Sequence, residues 1–336
     1  MKVPKLIIHC ITYNHVKFIR QCLDGFVMQK TNFPFQAYVS DDCSTDGTDK
    51  IIGEYAEKYP EIIVPIKRDK NLGVMENFID TADRIKSEYV ALCEGDDYWT
   101  DENKLQKQVD YLDAHRECAI CFHQTQNFFD DGSAKSRKFP SPDRRFNREI
   151  TDLQDLLKHN YIQTNSVVYR WRFAKENIRD VFPANIIPGD YFMHLLHAQK
   201  GAIGFMEGTM AAYRRHAGGI WYDAHHNLEK SHLKHGIQEL NFHFAVENQI
   251  AIDRERQHEK TCSTAAQFIN IYIKNKKYAL AAEIAKLCPD ALAATQRKKI
   301  KISLFGIIPL IKIQYIRADK AWIKLFGFIP LLKIRR

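Results

Sequence analysis

The strongest constraint on the fold of this chain is the stretch Ser87–Thr100, with the sequence SEYVALCEGDDYWT. The apolar run Tyr89–Cys93 has the length of a buried strand, and it ends abruptly in the acidic segment Glu94–Asp97. In open α/β sheets ligands bind beyond the carboxyl ends of the strands, and carboxylates placed there suit a hard divalent cation that also holds substrate phosphates. The alternative is an acidic turn that caps a helix. The apolar strand before it, and Tyr98 and Trp99 after it, favour the metal site.

Strands alternate with helical patterns through roughly the first 110 residues. The strands are predicted at Leu6–Ile11, Gln36–Val39 and Ile62–Ile66, followed by the one that starts at Tyr89. This alternation predicts a parallel sheet with helices on both faces. Any single polar residue just after a strand is explained by the preference of such residues for turns. Parallel strands, however, all end at the same edge of the sheet, so their polar residues are expected to lie together. The polar residues expected at that edge are Thr12, Asp42, Lys67, Arg68, Asn71, Glu94 and Asp96.

Four motifs resemble the nucleotide-binding half of family 2 glycosyltransferases, which have the GT-A fold. They are CITYNH at 10–15, DDCSTDGT at 41–48, NLGVMENF at 71–78 and EGDDYW at 94–99. The resemblance covers residues 4–221 and implies a Rossmann-like α/β domain that binds a nucleoside-diphosphate sugar. A uridine diphosphate sugar is the favoured donor. The family also implies a divalent cation, Mn²⁺ or Mg²⁺.

The resemblance assigns roles to residues at the predicted strand exits. Thr12 and Asp42 would contact the base and ribose, with Asp42 the partner of the ring N–H of the base. Glu94 and Asp96 occupy the first and last positions of the DxD motif of the family, and Asp96 would bind the metal. Glu94 departs from the commoner Asp and is one methylene longer. The full set expected to bind the nucleotide sugar is Thr12, Asp42, Asn71, Glu94, Asp96 and Asp97.

Asp190 is the candidate catalytic base. The segment IIPGDYFMHLLH, residues 186–197, predicts a turn followed by a helix that starts near Asp190. As an N-cap, Asp190 would stabilise that helix by about 1 kcal/mol. By resemblance to the family, an acidic residue ahead of this helix removes the proton of the acceptor hydroxyl. Both roles are compatible.

His216 lies in the segment AAYRRHAGGIW, residues 211–221, which in the family closes over the nucleotide phosphates. It is therefore a candidate ligand of the metal or the diphosphate, and a purely structural role is the alternative.

The remainder of the chain predicts two further parts, a helical extension over 222–296 and a basic tail over 297–336. The tail repeats LFGIIPLIKI, starting at Leu304, as LFGFIPLLKI, starting at Leu325. Each repeat is expected to form a compact apolar wedge, too short and interrupted to span a bilayer. Apolar wedges flanked by cations predict a tail that lies in the interface of an anionic membrane. The alternative is two hairpins that pack on a partner protein.

The charge distribution bears on partners and location. The tail contains eleven Lys or Arg and one Asp. The net charge of the tail is therefore higher than the net charge of +8 of the whole chain. The body is thus near neutral, which argues against nucleic-acid binding. Eight cysteines without a disulfide framework, and no segment typical of secretion or membrane insertion, predict a cytoplasmic protein, peripheral on the inner face of a bacterial plasma membrane.

The expected reaction is inverting transfer of a sugar to a hydroxyl of a glycan in the synthesis of a cell-surface polysaccharide, and the expected acceptor is lipid-linked. Two alternatives remain. A nucleotidyltransferase would need a phosphate-binding glycine-rich loop after the first strand, but Thr12–His15 contains no glycine. A non-catalytic scaffold would keep the fold and use the tail to organise an assembly at the membrane.

Overall fold

The computed structural model describes residues 4–141, 149–250, 253–291, 300–304, 308–317, 320–325 and 329–335. The chain separates into two compact units, Met1–Tyr222 and Asp223–Arg336. A further division of the second unit at residue 296 stays a prediction.

The first unit is a mixed α/β structure whose early strands and helices alternate. Its strands are β1 (Leu6–Thr12), β2 (Phe35–Asp41), β3 (Ile63–Lys67), β4 (Tyr89–Leu92), β5 (Tyr98–Trp99), β6 (Cys118–Phe129), β7 (Arg137–Phe139), β8 (Ile150–Thr151), β9 (Val168–Arg170) and β10 (Ala202–Arg215). Its helices are α1 (Ile19–Val27), α2 (Thr48–Lys58), α3 (Val74–Asp83), α4 (Lys104–Ala114), α5 (Leu153–Lys158) and α6 (Gly189–Ala198), and α7 (Tyr222–His226) begins at its boundary.

The strands form one sheet in the order β3-β2-β1-β4-β9-β6-β10-β5, with β7 paired to β6 and β8 paired to β10. Strands β1 to β4 run parallel, as the alternation predicts. β9 is antiparallel to both β4 and β6, so the complete sheet is mixed. Thr164–Ser166 forms a 3₁₀ turn directly ahead of β9.

Strands β1 and β4 lie in the middle of the sheet, and every one of their residues is buried. Strands covered on both faces read as continuous apolar runs, which is why these two segments lack alternation. Helices α1 and α4 pack on the sheet through residues such as Phe26 and Leu105, both in the main hydrophobic core.

The exits of the first, second and fourth strands are joined by backbone hydrogen bonds. The N–H of Asp42 donates to the carbonyl of Thr12 at 2.9 Å, and the N–H of Gly95 donates to the carbonyl of Ile11 at 3.0 Å. These bonds continue the ladders of β1 with β2 and of β1 with β4 past the strand ends. Backbone hydrogen bonds therefore hold the polar residues that follow these strands close together, as predicted.

The second unit contains three longer helices, α8 (Leu228–Gln249), α9 (Arg254–Lys274) and α10 (Tyr278–Leu287), as predicted for this region. They share a core that includes Leu240, Phe268 and Ile284. Over the described part of the chain, none of the helices has the length and apolarity needed to cross a bilayer.

The tail differs from the predicted wedges, because its described residues are strands. They are β11 (Ile300–Leu304), β12 (Ile308–Arg317), β13 (Lys320–Leu325) and β14 (Ile329–Arg335), paired antiparallel in that order. Each repeat supplies the last residue of one strand, Leu304 or Leu325, and most of the next strand. Alternation of Ile with Lys, as in Ile300–Leu304, has the period of a strand.

Candidate active site

A cavity of about 310 Å³ lies beyond the carboxyl ends of β1, β2 and β4. The start of α6 and the end of β10 form its other walls. Most of the residues predicted for the site contribute to its lining, namely Thr12, Asp42, Asn71, Glu94, Asp96, Asp190 and His216. The sheet edge therefore brings these side chains together, although they are far apart in sequence.

Asp42 is held rigidly by the loop that follows β3. Its Oδ1 accepts the N–H of Leu72 at 2.8 Å and its Oδ2 accepts the N–H of Gly73 at 2.9 Å. Asn71 supports the same loop, since its Nδ2 donates to the carbonyl of Asp42 at 3.1 Å. Gly73 has φ +82°, in the region that favours glycine, which lets the loop fold over the carboxylate. Asp42 keeps lone pairs that can accept a ligand N–H in the cavity.

Asp96, His216 and His15 form a group that can hold a metal ion. One donor atom from each lies within 4.8 Å of the other two. The Oδ2 of Asp96 is 2.9 Å from Nε2 of His216 and 3.9 Å from Nε2 of His15. Burial acts to raise the pKa of Asp96, but the electrostatic interaction with His15 and the hydrogen bond from His216 outweigh it and hold the pKa below its usual range. Asp96 is therefore ionised, as a metal ligand must be.

The two imidazoles differ in how their second nitrogens are bound. Nδ1 of His15 lies 3.1 Å from the hydroxyl of Thr12, which can accept its proton and leave Nε2 free for a metal. Nδ1 of His216 instead accepts the N–H of Gly218 at 3.2 Å, so Nε2 carries the proton that it shares with Asp96. A metal bound at Nε2 of His216 needs the other tautomer and the loss of the Gly218 hydrogen bond.

Glu94 differs sharply from Asp96. Burial, with smaller contributions from the negative charges of Asp96 and Asp190, raises the pKa of Glu94 to about 8. The carboxyl is therefore largely protonated at neutral pH. A neutral carboxyl can donate a hydrogen bond as well as accept one, which suits contact with a sugar hydroxyl.

Asp97 does not line the cavity, in contrast to the prediction that it binds the nucleotide sugar. Its side chain is buried, and Oδ1 accepts the backbone N–H of Arg214 at 2.8 Å. Burial, together with the charge of Asp96, raises the pKa of Asp97 well above its usual range. In this arrangement Asp97 fastens the end of β10 to the exit of β4.

Asp190 is the second residue of α6, not its N-cap, which is Pro188. Its Oδ1 accepts the N–H of Tyr191 at 2.7 Å, and its Oδ2 accepts the hydroxyl of Thr164 at 2.5 Å. These two bonds fix the plane of the carboxylate at the cavity wall and leave a lone pair on each oxygen.

Three functional candidates escaped the sequence analysis: His15, Thr164 and Arg214. Arg214 lines the cavity, donates from Nε to the carbonyl of Asp96 at 3.0 Å, and lies over the ring of Phe18 at 4.6 Å. His15 is part of the TYNH segment, so its spacing from the strand end was available as a signal. Arg214 lies two residues before His216 in the segment 211–221, so its position there was also available as a signal. Thr164 is distant in sequence from every motif, and only the folded chain brings it to the site.

Comparisons with known sequences agree with the geometry. The model of Glycosyl transferase family 2 matches residues 7–218. An uncharacterized protein of Mycobacterium tuberculosis is 48% identical over 220 residues, which cover 66% of this chain and 61% of that protein. The putative teichuronic acid biosynthesis glycosyltransferase TuaG of Bacillus subtilis is 29% identical over 151 residues, which cover 45% of this chain and 56% of TuaG. The chain thus spans about three fifths of the length of these relatives.

Two solved structures have a similar fold at low sequence identity. TarS of S. aureus, crystallised with UDP-GlcNAc, superposes with a TM-score of 0.57 at 16% identity, covering 87% of this chain and 84% of that structure. The mannosyltransferase PcManGT of Pyrobaculum calidifontis, in complex with GDP-Man and Mn²⁺, gives a TM-score of 0.52 at 16% identity, covering 87% and 83%. These similarities establish the GT-A fold.

Proposed function

Since the chain belongs to glycosyl transferase family 2, we propose that it moves a sugar from a nucleoside-diphosphate sugar to a hydroxyl of a glycan, with inversion at the anomeric carbon. The observation that carries the proposal is the common cavity, which is lined by Asp42 after β2, Glu94 and Asp96 after β4, and Asp190 in α6. Carboxylates from three separate elements around one cavity are what a base, a nucleotide contact and a metal ligand require.

Asp190 is assigned as the general base. Thr164 and the backbone of Tyr191 orient its carboxylate, and the remaining lone pairs accept the proton of the acceptor hydroxyl. That oxygen then attacks the anomeric carbon on the face opposite the leaving diphosphate, and no covalent enzyme intermediate is needed. Thr12 and Asp42 hold the base and ribose of the donor.

Asp96 is assigned as a ligand of a divalent cation, together with His216 and His15. A Mn²⁺ or Mg²⁺ ion held there supplies Lewis-acid stabilisation of the charge that develops on the leaving diphosphate. Two imidazoles and one carboxylate suit a transition metal better than Mg²⁺, which prefers oxygen ligands, so Mn²⁺ is the favoured ion.

The donor and acceptor are proposed by analogy. TarS was crystallised with UDP-GlcNAc and PcManGT with GDP-Man, which supports a nucleoside-diphosphate sugar as the donor. We propose a uridine diphosphate sugar. The name of TuaG places it in teichuronic acid biosynthesis, which supports a role in cell-surface polysaccharide synthesis. We assign a lipid-linked glycan as acceptor and the cytoplasmic face of the membrane as the location. Residues 1–221 would be catalytic, 222–296 a helical extension, and 297–336 the membrane-associating part.

The test is to screen nucleotide sugars with Mn²⁺ for thermal stabilisation of the protein and for release of nucleoside diphosphate. Asp96→Ala should lose the metal-dependent part of donor binding. Asp190→Asn should keep donor binding and slow transfer by at least about 100-fold, because a positioned base contributes that much. An Asp190→Asn variant with the normal rate would show that the base is assigned wrongly. Donor binding with no turnover in the native protein would favour the scaffold.

A further inference from the structure

Two helices that carry opposite walls of the cavity meet beside Asp190. α3 begins at Val74, directly after the loop whose N–H groups bind Asp42. α6 begins at Gly189, one residue before Asp190. Met75, the second residue of α3, lines the cavity together with Gly189. The site for the donor nucleotide and the candidate base are thus carried by neighbouring helices.

The thioether of Met75 occupies the space in which a side chain at Gly189 would lie. A Cβ on Gly189 would overlap Sδ of Met75 and would lie 2.8 Å from its Cε. The next atom, Cζ of Phe182, would be 3.6 Å away, which is an ordinary contact between carbon atoms. Met75 therefore packs directly on the backbone at the start of α6, and glycine at position 189 allows this close approach.

The first turn of α6 is held only loosely by its own hydrogen bonds. Its N-cap is Pro188, whose side chain cannot accept the N–H groups of the first turn as a Ser or Asp cap does. The bond from the N–H of Phe192 to the carbonyl of Pro188 is 3.4 Å, longer than the usual range for an amide. Packing against other elements therefore contributes strongly to the position of this turn.

The first turn of α3, in contrast, is fixed to the sheet from two sides. The carboxylate of Asp42 accepts the N–H of Leu72 at 2.8 Å and the N–H of Gly73 at 2.9 Å, just ahead of the helix. One turn further, the buried side chain of Asn77 accepts the hydroxyl of Ser40 in β2 at 2.6 Å. Met75 lies between these two attachments, so α3 presents it to α6 from a fixed position.

We propose that Met75 is a positioning residue for sugar transfer, which holds the first turn of α6, and with it Asp190, in place against the donor site. The inference rests on the proposed function, in which Asp190 is the general base. Thr164 and the N–H of Tyr191 orient the carboxylate, whereas Met75 sets the position of the backbone that carries it. A misplacement of 1 Å can lower a rate by about 100-fold, so this contact affects turnover. The unbranched thioether suits an irregular gap of this kind.

The experiment compares Met75→Ala, Gly189→Ala and the double variant in the full-length protein. Titration with UDP in the presence of Mn²⁺ measures the donor site. Release of UDP from the uridine diphosphate sugar that most stabilises the native protein measures the rate, with water as the acceptor. Met75→Ala should lower the rate at saturating donor about tenfold, less than a full 1 Å misplacement would, and leave the affinity for UDP unchanged. Gly189→Ala should do the same, because its methyl group displaces the thioether.

The double variant tests whether both changes remove the same contact. Independent losses would multiply to about 100-fold, whereas a shared contact predicts a loss of about tenfold, as in each single variant. Met75→Leu keeps the volume of the side chain and should retain most of the rate. The matched control is Met206→Ala, because Met206 is also half-buried but packs on the main core and does not line the cavity. It should keep the native rate.

Three outcomes would overturn the role of Met75. They are a native rate in Met75→Ala, losses that multiply in the double variant, and a loss of UDP affinity in Met75→Ala as large as its loss of rate. Urea unfolding adds a check that needs no turnover, since losses of stability that add in the double variant would also count against the contact. A normal rate in Asp190→Asn would instead overturn the proposed base, whereas a slow Asp190→Asn beside a normal Met75→Ala would remove only the inference about Met75.

Discussion

At the scale of single residues, the two acidic side chains of the EGD segment have opposite ionisation. Asp96 is stabilised as an anion by His15 and His216, whereas Glu94 is not paired with a cation in the described contacts and its pKa is raised to about 8. Ionising both of these neighbouring carboxyl groups without a bound cation is unfavourable, because the two negative charges repel each other. The division of charge follows from which of them the histidines contact.

This difference predicts a pH effect on stability. The pKa of Glu94 in the folded protein, about 8, lies above its ordinary value of 4.5. Between these values the folded state binds the additional proton, so the contribution of Glu94 to stability falls as the pH rises through that window. Glu94→Gln cannot ionise, so its melting temperature relative to the native protein should rise by a few degrees from pH 5 to pH 8, without metal or nucleotide.

Glu207→Gln is the control for this measurement, because Glu207 is an exposed glutamate on β10. Its melting temperature should follow that of the native protein at every pH. An equal difference between Glu94→Gln and the native protein at pH 5 and pH 8 would contradict the raised pKa.

Thr164 predicts a second effect at this scale. Its hydroxyl donates to Oδ2 of Asp190 at 2.5 Å, and the residue is 5% exposed. Thr164→Val keeps the shape but removes a hydrogen bond to a charged group, worth about 1.5 kcal/mol, so the rate of transfer should fall about tenfold. Donor affinity should stay unchanged, and release of nucleoside diphosphate at saturating donor measures the rate.

Thr164→Ser separates orientation of the base from packing. Serine restores the hydroxyl without the methyl group, so this variant should recover most of the rate. If Thr164→Ser is as slow as Thr164→Val while both bind donor normally, the hydroxyl is not what positions Asp190.

At the scale of elements, the exits of β1 and β4 are packed so closely that only glycine fits between them. A Cβ on Gly95 would lie 2.4 Å from Oγ1 and 2.6 Å from Cβ of Thr12, and 3.2 Å from Nδ1 of His15. Gly95→Ala must therefore displace Thr12 and its contact with His15. We expect a loss of about 1–3 kcal/mol in the free energy of unfolding, as for other overpacked sites, and weaker donor binding.

Gly53→Ala is the matched control. Gly53 lies within α2, and a Cβ there meets no atom within 4 Å. Alanine is the better helix former by about 1 kcal/mol, so this variant should be slightly more stable and bind donor normally. Urea unfolding and donor titration measure both effects. Equal stability of Gly95→Ala and the native protein would mean that the two strand exits are not tightly packed.

The sequence predicts elements well where a single period dominates. Strands β1 to β4 and the helices between them could be predicted because apolar runs and helical spacing are local properties. Most of the residues that line the cavity could be predicted because parallel strands end at one edge. Thr164 could not, since its position depends on the antiparallel placement of β9, which it directly precedes. Asp97, which the sequence places in the set expected to bind the nucleotide sugar, instead accepts the backbone N–H of Arg214 after the turn that follows β4.

The tail is a region where the sequence did not predict the elements correctly. Gly and Pro in each LFG-x-IP segment indicated an interrupted, compact element, but the described residues on both sides of these segments are strands. The register places lysine opposite lysine, as in Lys301 with Lys312, and isoleucine opposite isoleucine, as in Ile302 with Ile311. Apolar and charged residues alternate in the tail, which is typical of a strand. The Gly and Pro residues, which are typical of turns, favoured the other interpretation.

At the scale of the whole molecule, the match to glycosyl transferase family 2 covers the first unit and not the second. The family match ends at residue 218, close to the end of the first unit at Tyr222. The second unit carries the basic tail, while the candidate active site lies wholly in the first. Transfer chemistry and attachment to a surface are therefore expected to be separable properties of this chain.

That separation predicts the behaviour of a chain truncated after Gln296. The removed segment contains eleven Lys or Arg and one Asp. Each cation near an anionic membrane contributes roughly 1 kcal/mol, and the attraction is screened within about 10 Å at 0.1 M salt. The full chain should sediment with vesicles that contain phosphatidylserine or phosphatidylglycerol and remain in solution with purely zwitterionic vesicles. The truncated chain should remain in solution with both, while it keeps donor binding.

Added salt should release the full chain, because the contact is electrostatic at long range. If the truncated chain still sediments with anionic vesicles, the surface that binds them lies in the first 296 residues, and the tail is then better explained by packing on a protein partner.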